Sequence, residues 1–358
     1  MKRSAVVYGG LLALFSLLAW IQWTADPSPD VGEQIVLLQG QPEDVERIVW
    51  TTQESEAVLE RKEDAKGTYY WVTYTQFPQL PEEDQPQTED EEQTTEGDQP
   101  AEGEPIAEPA TEPEEVQPAE PEVSMFKAGD KGDELIEAIS PMMALRRLEA
   151  TDEATLESIG LAESTGSMVI TRKGRDVTLD LGGEAYGTRD MYMREVSSGE
   201  IYLIDDKLVR PLRYARTRLP DRTLWSVQPP EVVAAILVAG GISVEFSHEN
   251  PVDPSAARWI RPDSPDTDDA QLNTWMGKAI GMRGSFYADP DDPPEDLQLQ
   301  FQLTAVDEAG ETETLEVLRQ GEDGDWWGRS EHTRGLMKLL SGPTSDLADD
   351  ADDLVSAP

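Results

Sequence analysis

The sequence predicts an α+β fold in which an N-terminal single transmembrane helix precedes two related units of antiparallel strands and helices. Three observations carry this expectation. Residues Ala5 to Trp23 run without a charge, close to the ~20 apolar residues that span a hydrocarbon core as a helix. Many later apolar stretches alternate with period two and are bounded by turn residues, as strands are. The order strands, helix, strands, helix then occurs twice, from Val45 to Leu219 and again beyond Trp225.

The first element has asymmetric flanks. Lys2 and Arg3 precede it and the first acid, Asp26, follows it. The positive-inside rule therefore leaves residues 1–4 in the cytoplasm and the bulk of the chain across the membrane. A signal peptide would need small residues at its cut, where Trp23 stands, so residues 5–23 read as an uncleaved anchor. Ala5, Gly9 and Ala13 share one helical face, a small-xxx-small pattern that lets a second membrane helix approach closely. Chance also produces this spacing in apolar helices. Residues 24–44 read as a spacer.

Residues 45–225 make the first unit. Val45 to Thr51, Ala57 to Arg61 and Thr68 to Tyr74 read as strands, the last two joined at Lys66-Gly67. Residues 81–122 change character abruptly: acids and prolines dominate and Lys and Arg are absent. Such a stretch buries too little apolar surface to offset its ordering entropy, so a disordered acidic insertion is expected. A helix ending near Ile139 and a second from Pro141 to Glu149 follow from the spacing of Leu135, Ile136, Ile139, Met142, Met143 and Leu145, with Pro in a first turn. Hairpins come next, Met168–Thr171 with Asp176–Leu181 about Lys173-Gly174, and Met191–Glu195 with Glu200–Ile204 about Ser198-Gly199. Asp205 or Asp206 caps a helix with the stripe Leu208, Leu212, Ala215 and Leu219, kinked at Pro211.

Residues 226–343 repeat the order as a diverged second unit. Ile242–Ser247 and Ala257–Arg261 read as strands, Asp269–Met282 as a helix, then Leu297–Val306, Glu313–Gln320 and Asp325–Gly328 as strands and Arg334–Leu340 as a terminal helix. Residues 344–358 read as a disordered acidic tail.

Composition narrows the partners. The 358 residues carry 73 acids against 29 Lys and Arg, a formal charge of −44, which argues against nucleic acid, since its phosphates demand a basic surface. With no Cys there is no disulfide, no thiolate nucleophile and no Cys-ligated metal. The two histidines, His248 and His332, fall outside any His-Glu-x-x-His zinc motif and read as surface or strand-edge residues. No Gly-x-Ser-x-Gly elbow, phosphate loop or EF-hand occurs. No cofactor, metal or catalytic residue is therefore assigned. One group stands out in so acidic a chain: Lys207, Arg210, Arg213, Arg216, Arg218 and Arg222. It reads either as a docking face for an acidic partner or the chain's own insertion, or as ordinary surface ion pairs worth ~0–1 kcal/mol each.

Longer phrases carry a resemblance. Ile159-Gly160-Leu161, Val177-Thr178-Leu179, Leu181-Gly182-Gly183, Met191-Tyr192-Met193-Arg194, Ile201-Tyr202-Leu203-Ile204 and Leu219-Pro220-Asp221-Arg222-Thr223-Leu224 together resemble the bacterial family DUF4340 over residues 45–225. The second half resembles it only by order of elements, and the acidic insertion departs from its pattern. The resemblance implies a bacterial envelope protein with one N-terminal helix, associated with gliding-motility-type ABC transporter systems, and it transfers no catalytic residue. The expectation is thus a non-catalytic accessory or scaffold subunit in the inner membrane, its bulk periplasmic, with the membrane and an ABC permease or related auxiliary subunits as partners. The alternatives are a carboxylate-dependent envelope glycan hydrolase and a structural stalk.

Overall fold

In the computed structural model residues 35–78, 120–149, 152–265 and 269–356 are described. Antiparallel sheet dominates them, which corrects the α+β expectation: nineteen strands form a nine-stranded, an eight-stranded and a two-stranded sheet, and the helices are accessories. Among the described residues no helix is long and apolar enough to cross a membrane. The single-pass, inner-membrane expectation is corrected on that finding. The α-helices among the described residues span 4 to 16 residues, short of the ~20 a crossing needs, and the longest carries five aspartates between Asp346 and Asp353. The expected anchor, residues 5–23 with Ala5, Gly9 and Ala13, lies outside the described residues, as does most of the acidic insertion.

The first sheet starts from β2 (Val45–Thr51), β3 (Ser55–Asp64) and β4 (Gly67–Gln76), which pair as a meander. Ile48 and Trp50, then Ala57 and Leu59, then Tyr70, Val72 and Tyr74 alternate inward and are buried, the period-two pattern that fixes register; Val45, also buried, is offset by an irregularity between Val45 and Arg47. β5 (Glu122–Lys127) adds an edge strand outside β4. On the other side of β2 lie β8 (Ser167–Arg172), β9 (Arg175–Glu184), β10 (Met191–Glu195), β11 (Ile201–Ile204) and the short β7 (Arg146–Leu148). The Lys173-Gly174 turn of β8 and β9 has both residues at positive φ, 47° and 68°, as a two-residue hairpin requires. β1 (Ile35–Leu38), in the segment read as a spacer, pairs with β6 (Met142–Ala144).

Helix α1 (Asp130–Ala138) stops where the sequence predicts, but Pro141–Glu149 is not a helix. β6 and β7 occupy it, because Met142 and Ala144 are buried beneath β1 and Leu148 pairs with Ile201 of β11. Sheet pairing here overrides helical spacing, which is only a weak prior. α2 (Glu153–Ser158) is short and capped by Asp152, α3 (Asp206–Arg213) is capped by Asp205 and carries Pro211, and α4 (Ala215–Arg218) continues it after a break at Tyr214.

The second sheet runs β14 (Arg258–Ile260), β13 (Ile242–Glu249), β12 (Val232–Ala239), β16 (Leu297–Asp307), β17 (Thr312–Gln320), β18 (Trp326–Ser330), β19 (Met337–Lys338) and β15 (Phe286–Tyr287). Leaving out β5, the first sheet's order from β4 to β7 corresponds strand for strand. The correspondence extends to details. Each central strand follows a one-turn 3₁₀ helix opened by Gln-Pro with a capping box, Gln41-Pro42 before Val45 and Gln228-Pro229 before Val232. Each half also has an incoming segment paired just after its first helix: Val36 with Met143, and Thr223 with Arg283.

α5 (Ala270–Ile280) matches α1, and α6 (Ser341–Ser356) matches α3. α6 replaces both the expected helix at Arg334–Leu340, where β19 runs, and most of the expected acidic tail. Thr344, Leu347, Ala351, Leu354 and Val355 make its buried stripe, and the aspartates between them fall on other faces. Trp275 Nε1 donates to the Leu347 carbonyl at 2.9 Å and ties α5 to α6. One apolar core runs through both halves, from Trp50 and Leu59 to Phe246, Trp275 and Phe301.

Candidate functional site

The halves meet where β5 ends. Beyond Lys127 the chain pairs with the segment leaving α4: Asp221 N–H donates to the Lys127 carbonyl and Gly129 N–H to the Leu219 carbonyl, both at 2.9 Å, around an Ala128–Pro220 bridge. Gly129 is required for this approach, since a Cβ there would lie 2.9 Å from the Asp221 Cα.

The side chains then converge. Asp221 Oδ1 accepts from the Thr223 N–H at 3.0 Å and from Thr223 Oγ1 at 2.6 Å, a local turn of the Asx kind. Oδ2 accepts from Lys127 Nζ at 2.8 Å and from His332 Nε2 at 2.7 Å. His332 Nε2 also lies 2.9 Å from Thr223 Oγ1 and 3.1 Å from Lys127 Nζ. Lys127 is 6 % exposed and Asp221 9 %. Burial pushes the Asp221 carboxyl up, but the hydrogen bonds from His332, Lys127 and Thr223 together outweigh it and hold the group well below the usual carboxylate range. Burial also pushes up the nearby Asp133 carboxyl and the Tyr287 hydroxyl.

A second ring surrounds the cluster. Arg334 makes a two-point pair with Asp64, at 2.9 and 3.2 Å, and lies over the Tyr69 ring. Trp71 meets Tyr287 edge to face at 5.9 Å. Glu313, 5 % exposed, accepts from the Ser226 N–H at 2.9 Å and Oγ at 2.7 Å, fixing the connector between the halves.

A histidine on a carboxylate is the core of many general-base devices. Here the serine and threonine hydroxyls beside the cluster are already donors: Thr223 to Asp221, Ser226 to Glu313, and Ser330 to the Leu224 carbonyl at 2.6 Å. The cavity beside His332 is about 200 Å³, below the ~300–1,000 Å³ of ligand sites. Among the described residues no group of three or more His, Asp or Glu is placed to hold a metal. Chemically the cluster is a staple: four polar side chains from three segments, satisfied by one another.

The sequence-predicted basic group is dispersed rather than gathered. Arg210 pairs with Asp206, Arg213 with Glu184 of β9, and Arg216 with Glu122 of β5. Arg218 lies 6.0 Å from the Tyr214 ring centre, Lys207 is exposed on α3, and Arg222 lines a slot beside β5. His248 stacks on Trp259 at 4.3 Å and lies 2.8 Å from the Val232 carbonyl, a strand-edge position. Sequence reasoning missed Lys127 and undervalued His332. It singled out Leu219–Leu224 as a phrase without a reactive residue, and the Asp-x-Thr spacing there was the one local signal of the turn that aims Asp221.

Fold and site together define a class: a duplicated-topology, mainly antiparallel protein whose two sheets are joined by a buried ion cluster. Comparison with protein families, with curated proteins and with solved structures returns no match.

Proposed function

We propose that this chain is a non-catalytic accessory or scaffold protein that acts through protein–protein contacts. The observation that supports this most directly is the closure of the Lys127–Asp221–His332 cluster: the most base-like constellation among the described residues faces its own partners, with the Thr223, Ser226 and Ser330 hydroxyls engaged. Such buried ionic groups serve registry between packed parts better than turnover. The resemblance of residues 45–225 to DUF4340 adds that the partner belongs to an ABC-transport or gliding-type complex. Crosslinking of the tagged full chain in cells, followed by mass spectrometry, tests this. Reproducible crosslinks to subunits of one such complex are the expected result. Hydrolysis of a glycan by the purified chain, abolished in a folded Asp221→Asn variant, would overturn it.

A further inference from the structure

β5 is the strand that the second half lacks, and its outer edge is open. The register gives the facing of each residue. Ala128 N–H donates to the Tyr70 carbonyl of β4, so by alternation Phe126, Ser124 and Glu122 bond to β4, while Lys127, Met125 and Val123 present main-chain groups outward. The Lys127 carbonyl already takes an N–H from Asp221 on that side, which shows the edge competent to pair. Beyond it, the outward groups of Val123 and Met125 have no backbone partner among the described residues. Val123 is 46 % exposed.

A slot of about 500 Å³ follows this edge, with Phe286 and Tyr287 of β15 on its far wall and Arg216 and Arg222 at its side. Phe286 is 53 % exposed, and the Tyr287 hydroxyl is buried without a hydrogen-bond partner. The two arginines differ: Arg216 holds Glu122, whereas Arg222 has no carboxylate within ion-pair distance among the described residues. Asp289 also lines the slot, so its walls are apolar with charges of both signs. An unpaired strand edge in such a slot is the setting for strand addition, where main-chain bonds supply affinity and flanking side chains supply choice.

We propose that the open edge of β5 takes up an extended segment of a partner protein, pairing with Val123 and Met125 and setting an acidic side chain against Arg222. This rests on the scaffold reading and names its contact. The test uses the full chain and a defined probe, an end-blocked peptide of alternating valine and glutamate, at physiological salt. Binding is expected to slow hydrogen exchange at the Val123 and Met125 amides at least tenfold. Methylating alternate peptide nitrogens, or Val123→Pro, which removes an outward N–H that β4 does not use, is expected to abolish that protection. Arg222→Glu is expected to weaken binding about tenfold, as is replacing the peptide's glutamates by lysines.

Equal binding of the methylated peptide, or protection elsewhere than β5, overturns the proposal. So does a photo-crosslinker at Val123 that, in the purified chain alone, reacts with residues 79–119, because the edge is then occupied by the chain itself. In any of these cases, partner crosslinks mapping to other surfaces leave the scaffold reading standing.

Discussion

The two halves of the chain share a strand order, a Gln-Pro entry into the central strand and a bridge after the first helix, yet they manage their ends differently. The first half carries an extra edge strand, β5, and closes with a helix broken at Tyr214. The second ends at β14, whose Trp259 N–H is taken by Asn273 at 2.6 Å, and closes with the 16-residue α6. The shared parts bury side chains on one face of a sheet, so they are the parts that make each half fold. The unshared strand supplies Lys127 to the staple and an open edge to solvent. The repeated strand order describes the architecture, and the departure from it locates both the joint and the exposed pairing surface.

The sharpest way to break the comparison is to remove the joint. Asp221→Ala leaves Lys127 buried without its carboxylate, and the expected loss is ~3–5 kcal/mol, measured by urea unfolding. A loss below 1 kcal/mol would mean that the halves are held by apolar packing alone. The shared parts should behave alike: Leu212→Ala in α3 and Leu347→Ala in α6, at 1 % and 3 % exposure, should each destabilise by ~2–5 kcal/mol. A large inequality, seen in the same unfolding assay, would show that one helix is an ornament on its sheet.

Gly129→Ala tests the crossing at β5 itself. The added Cβ meets backbone rather than a movable side chain, so a cost of ~1–3 kcal/mol is expected. The change should also be non-additive with Asp221→Ala, because both disturb one contact. Independent, additive losses would argue against a common joint.

The pH dependence follows from the same carboxylate. The Asp221 pKa is lower folded than unfolded, so its stabilisation is fully present above the unfolded value of ~3.9 and is lost as pH falls below it toward the folded value. Melting temperature should therefore drop below about pH 4, and less steeply in Asp221→Asn than in the parent. Parallel curves would remove Asp221 from the acid response. The smallest effect belongs to the surface: Arg216→Ala, which breaks the exposed pair with Glu122, should change stability by no more than ~1 kcal/mol.

What was legible in the sequence was what local chemistry writes down. Alternation in Val45–Thr51, Thr68–Tyr74 and Leu297–Val306 specified strands, Lys173-Gly174 specified a hairpin, and Asp205 or Asp206, and Asp269, marked helix starts. The order of elements already suggested two units. What failed depended on partners far along the chain. Pro141–Glu149 has helical spacing, but Met142 and Ala144 face β1, about a hundred residues away in sequence, and pair as a strand. Residues 344–358 looked like an acidic tail because five aspartates crowd between Asp346 and Asp353, although Leu347, Ala351 and Leu354 lie on one stripe. The site was least legible of all. Lys127, Asp221 and His332 are ordinary residues in sequence, and only the packing of one half against the other brings their polar atoms within 3 Å of one another at Asp221. Local periodicity is encoded by neighbours and could be read directly; a buried ion cluster is encoded by the apolar surfaces that force its members out of water together, and those surfaces exist only in the folded chain.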